Sequence, residues 1–213
     1  GCGGSAEAAA MPACLEETAQ LLTFLERERI PYCYLGAGAN VLPAEGRFEG
    51  VVVRFCNMNT LYADGTSLYA GAGVTGGRLL AFAAANAIGG FEPLSGIPTS
   101  VGGGITMNAG VKELHFGDVT ERVIAAEKGK IYTLSQSECR FSEKSSLFQQ
   151  GVAVLGAYFT GKRSDARTIA ARPCDFRRRR AGLPKGRSMG CAFVNPPDRS
   201  AGELIETCGL KNT

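Results

Sequence analysis

The feature that most constrains this chain is its central glycine segment, residues 95–110, which reads Ser-Gly-Ile-Pro-Thr-Ser-Val-Gly-Gly-Gly-Ile-Thr-Met-Asn-Ala-Gly. The segment holds five glycines and no charged side chain. Glycine reaches positive φ without a Cβ penalty and lets a ligand approach the backbone closely. Successive backbone N–H groups can then point at one anion. The segment therefore predicts a phosphate-binding site, with a tight loop between two strands as the simpler alternative.

A second glycine cluster favours the phosphate-binding interpretation. The first glycine loop, residues 36–40, reads Gly-Ala-Gly-Ala-Asn and follows an apolar run over residues 31–35, as a phosphate-binding loop follows a strand. Two such loops suggest a dinucleotide ligand. The dinucleotide fingerprint of doubly wound folds needs a third glycine where this chain has Val41, and Pro43 argues against the helix that should follow. The sequence predicts a dinucleotide site of another type.

Three blocks of sequence together resemble one family of flavoenzymes. They are the first glycine loop, the central glycine segment and the run Cys-Ala-Phe-Val-Asn-Pro at residues 191–196. This combination resembles the UDP-N-acetylenolpyruvoylglucosamine reductases, which make UDP-N-acetylmuramate for peptidoglycan synthesis. The resemblance implies an α+β chain with the two-subdomain FAD-binding fold of the vanillyl-alcohol-oxidase/PCMH type, followed by part of a C-terminal α+β substrate domain. The implied boundaries are residues 1–56 and 57–165 for the FAD subdomains and 166–213 for the substrate domain.

The resemblance also implies the cofactors and their contacts. NADPH would reduce FAD, and the reduced flavin would pass hydride to the enolpyruvyl double bond of a UDP-sugar while a nearby acid supplies a proton. The residues expected to contact FAD are Gly36, Gly38, Asn40, Gly96, Pro98, Ser100, Gly102, Gly103, Asn108 and Gly110.

Two positions are implied to be catalytic. Cys191 stands where most family members have the serine that acts as the acid, and a thiol with a pKa near 8.5 donates a proton more readily than a serine hydroxyl. Lys144 stands where the family has an arginine that stabilises the enolate, and Glu143 replaces the preceding tyrosine. A lysine keeps the charge but loses the planar two-pronged grip on a carboxylate. The simpler interpretations are that Cys191 is a small buried residue and that Lys144 is a solvated lysine in a loop.

A basic run at residues 177–180, Arg-Arg-Arg-Arg, precedes the cysteine block. Nucleic acid is a poor partner for this run, because aromatic side chains that could stack on bases are absent around it except for Phe176. The resemblance implies instead that Arg178 and Arg179 bind the diphosphate of the substrate and that Asn195 also contacts the substrate. A solvated helix face remains the alternative for any single arginine.

Composition places the chain among proteins with a substantial hydrophobic core. It has 213 residues, 45% hydrophobic and 20% charged, with a net charge of +3 that argues against nucleic acid or a membrane as partners. Neither a membrane span nor a signal peptide is evident, so a cytoplasmic location is expected. The chain is also expected to be a monomer. The eight cysteines form no C-x-x-C pair, and we expect most to be small buried hydrophobes and no metal site. His115, the single histidine, is expected in a loop in a structural or exposed role.

Hydrophobic periodicity predicts the main elements of the chain. Helices are expected over residues 14–29 and 77–88, and a capping box at Ser200 predicts a short helix that Gly209 ends. Strands are expected over residues 51–55, 67–73, 119–127, 130–134 and 152–160. Residues 1 to about 56 are thus predicted to form a β-α-β-β unit.

Where the chain begins and ends bears on the activity expected of it. Residues 1–6 match a segment that the family places after its N-terminus, and relatives continue past the position of Thr213 and contribute a catalytic glutamate from that part. We therefore expect a fragment, or a relative without the full active site, with little or no turnover. Another FAD-dependent oxidoreductase on the same scaffold and a non-catalytic flavin-binding relative are the alternatives.

Overall fold

The computed structural model describes residues 3–165 and 198–210, together with residues 169, 193 and 196. The helices of this part are α1 (Leu15–Arg27), α2 (Gly76–Ala85), α3 (Val101–Thr106), α4 (Phe116–Val119) and α5 (Ala201–Thr207), with 3-10 turns at Glu92–Leu94 and Leu147–Gln150. Its strands are β1 (Ser5–Ala10), β2 (Tyr32–Tyr34), β3 (Arg47–Val53), β4 (Leu61–Asp64), β5 (Ser67–Gly71), β6 (Ile88–Gly89), β7 (Gly110–Val111), β8 (Leu114–His115), β9 (Thr120–Glu127), β10 (Lys130–Ser135), β11 (Ala153–Thr160) and β12 (Lys162–Arg163). None of these helices is long and apolar enough to cross a membrane.

The first unit is a small parallel sheet with one helix. Its strands lie in the order β1-β3-β2, and α1 crosses from β1 to β2. Helix α1 begins at Cys14, whose Sγ accepts the Glu17 N–H, and the carboxylates of its first turn complement the helix dipole. Its buried positions Thr18, Leu22 and Leu25 recur at helical spacing and face the core. The predicted β-α-β-β order and the helix after Cys14 are confirmed, although the helix ends at Arg27.

The second unit is a five-stranded antiparallel sheet in the order β10-β9-β11-β5-β4. Successive side chains of a strand point to opposite faces, so each face of this sheet carries its own core. Leu68, Phe159 and their neighbours pack with α2 and α3 on one face. Leu155 and its neighbours pack with α1 and the first unit on the other face. Strand β11 is therefore buried on both sides, which explains its nearly unbroken apolar sequence.

Several sequence expectations are corrected by the structure. Helix α2 ends at Ala85 instead of residue 88, because Ala87 takes a φ of +55° and β6 then pairs with β12. Strand β5 stops at Gly71 because Val74 N–H closes a turn onto the Gly71 carbonyl. Strand β4 was not expected. Among the five cysteines in the described residues, Cys139 is buried, while Cys33, Cys56 and Cys208 are exposed and Cys14 is intermediate, so the expectation of mostly buried cysteines is wrong there.

Replacing Ala87 by glycine is expected to raise the free energy of unfolding by about 1 kcal/mol, because an L-residue at positive φ is strained and glycine is not. The melting temperature should rise by about 2–4 °C. The matched control is Ala85→Gly, two residues earlier inside α2, which should destabilise the chain by a similar amount. Thermal unfolding followed by circular dichroism measures the melting temperature of both variants. Equal changes of the same sign in the two melting temperatures would show that positive φ at Ala87 carries no strain.

Candidate cofactor-binding site

The first glycine loop leaves β2 at the edge of the small sheet. Leu35 N–H still donates to the Val53 carbonyl, 3.0 Å away, but from Gly36 to Asn40 no backbone amide donates a hydrogen bond to another described residue. The loop is exposed, and Gly38 has a φ of +72° with open space where a Cβ would stand. Five consecutive amides are thus free to face a ligand, as the sequence predicted for an anion-binding loop.

The first glycine loop touches the central glycine segment. A Cβ placed on Gly36 would lie 2.8 Å from the Ser100 Oγ and 3.6 Å from the Gly103 Cα. Ser100 is the N-cap of α3, and its Oγ accepts the Gly103 N–H at 3.3 Å. Glycine at position 36 is therefore required for close packing of the two segments, which are far apart in the sequence.

The three consecutive glycines of α3 each have a local steric reason. A Cβ on Gly102 would lie 3.1 Å from the Ala72 Cβ, and one on Gly104 would lie 2.7 Å from the Phe116 ring. A Cβ on Gly103 would lie 3.3 Å from the Thr99 Oγ1. These glycines let α3 pack against the end of β5, the start of α4 and its own capping turn.

The amides at the start of α3 are already used inside the chain. Gly102 N–H donates to the Ala72 carbonyl at 2.9 Å, and Gly104 N–H donates to the Ser100 carbonyl at 2.7 Å. Gly103 N–H is taken by the Ser100 side chain. The amides of Gly102 and Gly103 are therefore not available to hydrogen-bond FAD in this structure. What the two glycines contribute locally is a close approach of the backbone to its neighbours.

The other residues expected to contact FAD lie along the same segment. Gly96, with a φ of +79°, and Pro98 are exposed in the turn before α3. Gly110 is packed in the β7–β8 hairpin, where a Cβ would collide with the Leu114 carbonyl. Asn108 is 5% exposed, and its side-chain amide bonds Gly117 N–H and the Ser142 carbonyl. The segment therefore extends from the first glycine loop to the α4 region.

Lys144 lies at the far end of the central glycine segment. It sits at the tip of a tight turn, residues 142–145, with a φ of +54°, and its Nζ is 3.4 Å from the Gly110 carbonyl. The side chain is exposed. The structure thus brings the expected catalytic lysine beside a predicted cofactor residue. Cys191, Arg178, Arg179 and Asn195 lie outside the described residues.

His115 has a structural position, although it ends β8 and is not in a loop as expected. It is the N-cap of α4, and its backbone N–H donates to Asp118 Oδ2 at 2.7 Å in a capping box. Its Nδ1 is 3.6 Å from the same carboxylate. Within the described ranges, no group of three or more His, Cys, Asp or Glu side chains is placed to hold a metal ion.

Sequence reasoning missed three polar groups around the site. The Tyr34 hydroxyl, just before the first glycine loop, is buried with no partner among the described residues, and burial raises the pKa of this tyrosine far above its usual value. Glu92 is 3% exposed and accepts the Gly90 N–H at 2.7 Å. Ser146 is 4% exposed and donates to the Thr106 carbonyl. The burial of all three groups depends on tertiary packing, so no local pattern in the sequence marks them.

The described residues fit FAD. A dinucleotide needs backbone donors for its pyrophosphate and an apolar surface for its ring system. The free amides of the first glycine loop provide the donors, and the side chains of Val41 and Leu42 directly after it are 49% and 61% exposed. A site with these features is suited to a nucleotide that bears a large apolar ring.

Comparisons with known proteins agree with this geometry. A sequence profile of the family described as FAD binding domain matches residues 6–134. UDP-N-acetylenolpyruvoylglucosamine reductase of Caldanaerobacter subterraneus subsp. tengcongensis is 35% identical over 216 residues, covering 98% of this chain and 70% of the relative. The enzyme of the same name from Clostridium novyi is also 35% identical, over 99% of this chain and 70% of the relative.

Solved structures give the same result. UDP-N-acetylenolpyruvylglucosamine reductase from Thermus caldophilus superposes with a TM-score of 0.86 at 32% identity, covering 100% of this chain and 76% of that chain. 6-Hydroxy-D-nicotine oxidase from Arthrobacter nicotinovorans superposes with a TM-score of 0.59 at 17% identity, over 73% of this chain and 36% of that chain, which supports the fold alone.

Fold, site and comparisons together define an FAD-dependent oxidoreductase with the α+β FAD-binding fold of the vanillyl-alcohol-oxidase/PCMH type. Within that class, the chain belongs to the UDP-N-acetylenolpyruvoylglucosamine reductase family. The resemblance and the fold class inferred from the sequence are confirmed.

Proposed function

We propose that this chain reduces the enolpyruvyl group of UDP-N-acetylglucosamine enolpyruvate to give UDP-N-acetylmuramate, a precursor of peptidoglycan, with NADPH as the hydride donor. The observation that carries the proposal is the contact between Gly36 and Ser100, which joins two glycine segments beside five free backbone amides. The family relationship supplies the identity of the substrate.

FAD, when bound, supplies the hydride chemistry between NADPH and the substrate. The amides from Gly36 to Asn40 would hold its pyrophosphate, because these five consecutive amides donate no hydrogen bond within the described part of the chain. Gly96, Pro98, Ser100, Gly102, Gly103, Asn108 and Gly110 would form the adjoining wall. Of these, Ser100 would act by capping α3, which fixes the edge against which the loop rests.

Lys144 would stabilise negative charge that develops on the substrate. Its exposed ammonium lies beside Gly110 at the end of the wall, so a carboxylate arriving there would meet a cation. A lysine provides one point charge where the family arginine provides a planar fork. We therefore expect the charge to be supplied with less control over the orientation of the carboxylate.

The remaining site residues are proposed from the family resemblance. Cys191 would donate the proton from its Sγ to a substrate carbon as hydride reaches the neighbouring carbon, leaving a thiolate that solvent reprotonates. Arg178 and Arg179 would bind the substrate diphosphate, and Asn195 would orient the sugar. We propose further that the protein works as a cytoplasmic monomer and that its substrate domain begins near residue 166, after FAD subdomains over residues 1–56 and 57–165.

Four measurements on the purified chain test the proposal. Titration with FAD should give a saturable change in the flavin spectrum, NADPH should bleach the bound flavin, and the enolpyruvyl substrate should restore its absorbance in a single turnover. Mass spectrometry should detect a product heavier than the substrate by two hydrogen atoms. Single-turnover conditions are chosen because they separate reduction of the flavin by NADPH from its reoxidation by the substrate.

The outcomes separate the proposal from its alternatives. Bleaching by NADPH without recovery on addition of the substrate would favour another FAD-dependent oxidoreductase. Saturable FAD binding without bleaching would favour a non-catalytic flavin-binding relative. Failure to bind FAD at all would overturn the assignment of the first glycine loop.

A further inference from the structure

The backbone around Asn108 has a conformation that usually calls for glycine. Helix α3 ends in a Schellman motif, in which Ala109 N–H donates to the Gly104 carbonyl at 2.7 Å and Asn108 N–H to the Ile105 carbonyl at 3.0 Å. The residue after the C-cap of such a motif has positive φ, and Asn108 has a φ of +40°. The hydrogen bonds of the Asn108 side chain explain why this position holds asparagine and not glycine.

The Asn108 side chain connects two other parts of the chain. Its Oδ1 accepts the Gly117 N–H at 2.8 Å, in the first turn of α4, and its Nδ2 donates to the Ser142 carbonyl at 2.8 Å. A flipped amide would place N–H against N–H and oxygen against oxygen, so these partners fix its orientation. Both bonds lie in a nearly water-free place, since Asn108 is 5% exposed.

The Ser142 carbonyl belongs to the tight turn that carries Lys144. The turn is closed by Ser142 N–H donating to the Ser145 carbonyl at 3.1 Å and the reverse bond at 3.2 Å. A second anchor follows it, because Ser146 Oγ donates to the Thr106 carbonyl, the last residue of α3, at 2.7 Å. Two buried side chains thus hold this turn against the C-terminal end of α3.

We propose that Asn108 and Ser146 are positioning residues that set the location of the Lys144 ammonium relative to the central glycine segment. The inference rests on the proposed function of Lys144. Asn108 accordingly acts through the turn at residues 142–145, because its side-chain amide already bonds Gly117 and Ser142. Lys144 itself takes a strained φ of +54°, which the two anchors maintain.

Hydrogen exchange measured by mass spectrometry tests the anchors independently of activity. The variant Asn108→Gly suits the backbone at positive φ and removes both side-chain bonds. We expect the Ser142, Ser145 and Leu147 amides to exchange at least about tenfold faster in this variant, and the Gly117 amide likewise. Ser146→Ala should speed exchange of the Ser142, Ser145 and Leu147 amides and leave exchange of the Gly117 amide unchanged. Ser145→Ala is the matched control, because within the described residues the Ser145 Oγ hydrogen-bonds only the exposed Gln149 side chain, at 3.4 Å.

Kinetics then test the link to Lys144. Asn108→Gly and Ser146→Ala should each slow substrate-dependent recovery of the flavin absorbance by about 10- to 100-fold, since small displacements of a charged group have effects of this size. In a Lys144→Ala background, neither change should slow recovery further. Unchanged exchange, or the same loss in the Lys144→Ala background, would overturn the proposal. A parent chain that shows no substrate-dependent recovery would count against the proposed function, while the exchange comparison would still decide whether the anchors exist.

Discussion

Replacing Gly36 by valine is expected to weaken FAD binding by about 10- to 100-fold while the chain remains folded. The first added carbon would lie 2.8 Å from the Ser100 Oγ, and the branched methyls would extend further toward α3. Forcing extra atoms into a close contact costs about 1–3 kcal/mol, which corresponds to the stated loss. Ser100 could turn away only by giving up its cap on the Gly103 N–H.

Flavin fluorescence titration measures this effect. Gly77→Ala is the matched control, because a methyl group there meets no atom within 4 Å and FAD affinity should be unchanged. The cause can be isolated with Gly36→Ala, which adds one carbon alone. Its effect on FAD affinity should shrink when it is measured in a Ser100→Ala background, where the opposing oxygen is gone. A Gly36→Val chain that binds FAD as tightly as the parent would show that this contact is not part of the site.

The second large effect is expected at Cys191. Cys191→Ala should slow the substrate-dependent recovery of flavin absorbance by about 10²- to 10⁴-fold, the usual contribution of a general acid. Bleaching by NADPH should keep its normal rate, because that step uses no proton from this thiol. Cys191→Ser should retain measurable substrate reduction, since serine is the family's residue at this position.

Stopped-flow absorbance separates the two steps in each variant. A cysteine thiol is open to alkylation and oxidation, which a serine hydroxyl resists. Iodoacetamide should therefore inactivate the parent chain and spare Cys191→Ser. An alanine variant that recovers its absorbance with substrate at the parent rate would remove Cys191 from the mechanism.

Much of the fold was predictable because its signals are local. The amphipathic helix α1, the β9–β10 hairpin and the short helix that Ser200 opens all follow from spacing and capping residues a few positions apart. The end of α2 was not predictable in this way. Ala87 and Ile88 continue the apolar pattern past Ala85, while pairing of β6 with β12, far along the chain, places Ile88 in a strand instead.

The sequence by itself predicted which residues would make an anion-binding loop and, through the resemblance, that FAD would be the cofactor. Both predictions rest on glycine content and on the order of the motifs, which are properties of the sequence itself. Tertiary structure alone decided that Gly36 faces Ser100, that the Gly102 amide is consumed by Ala72, and that Asn108 supports the turn of Lys144. Each of these contacts joins residues from different elements, and packing of the elements around the two faces of the five-stranded sheet determines which backbone donors stay free.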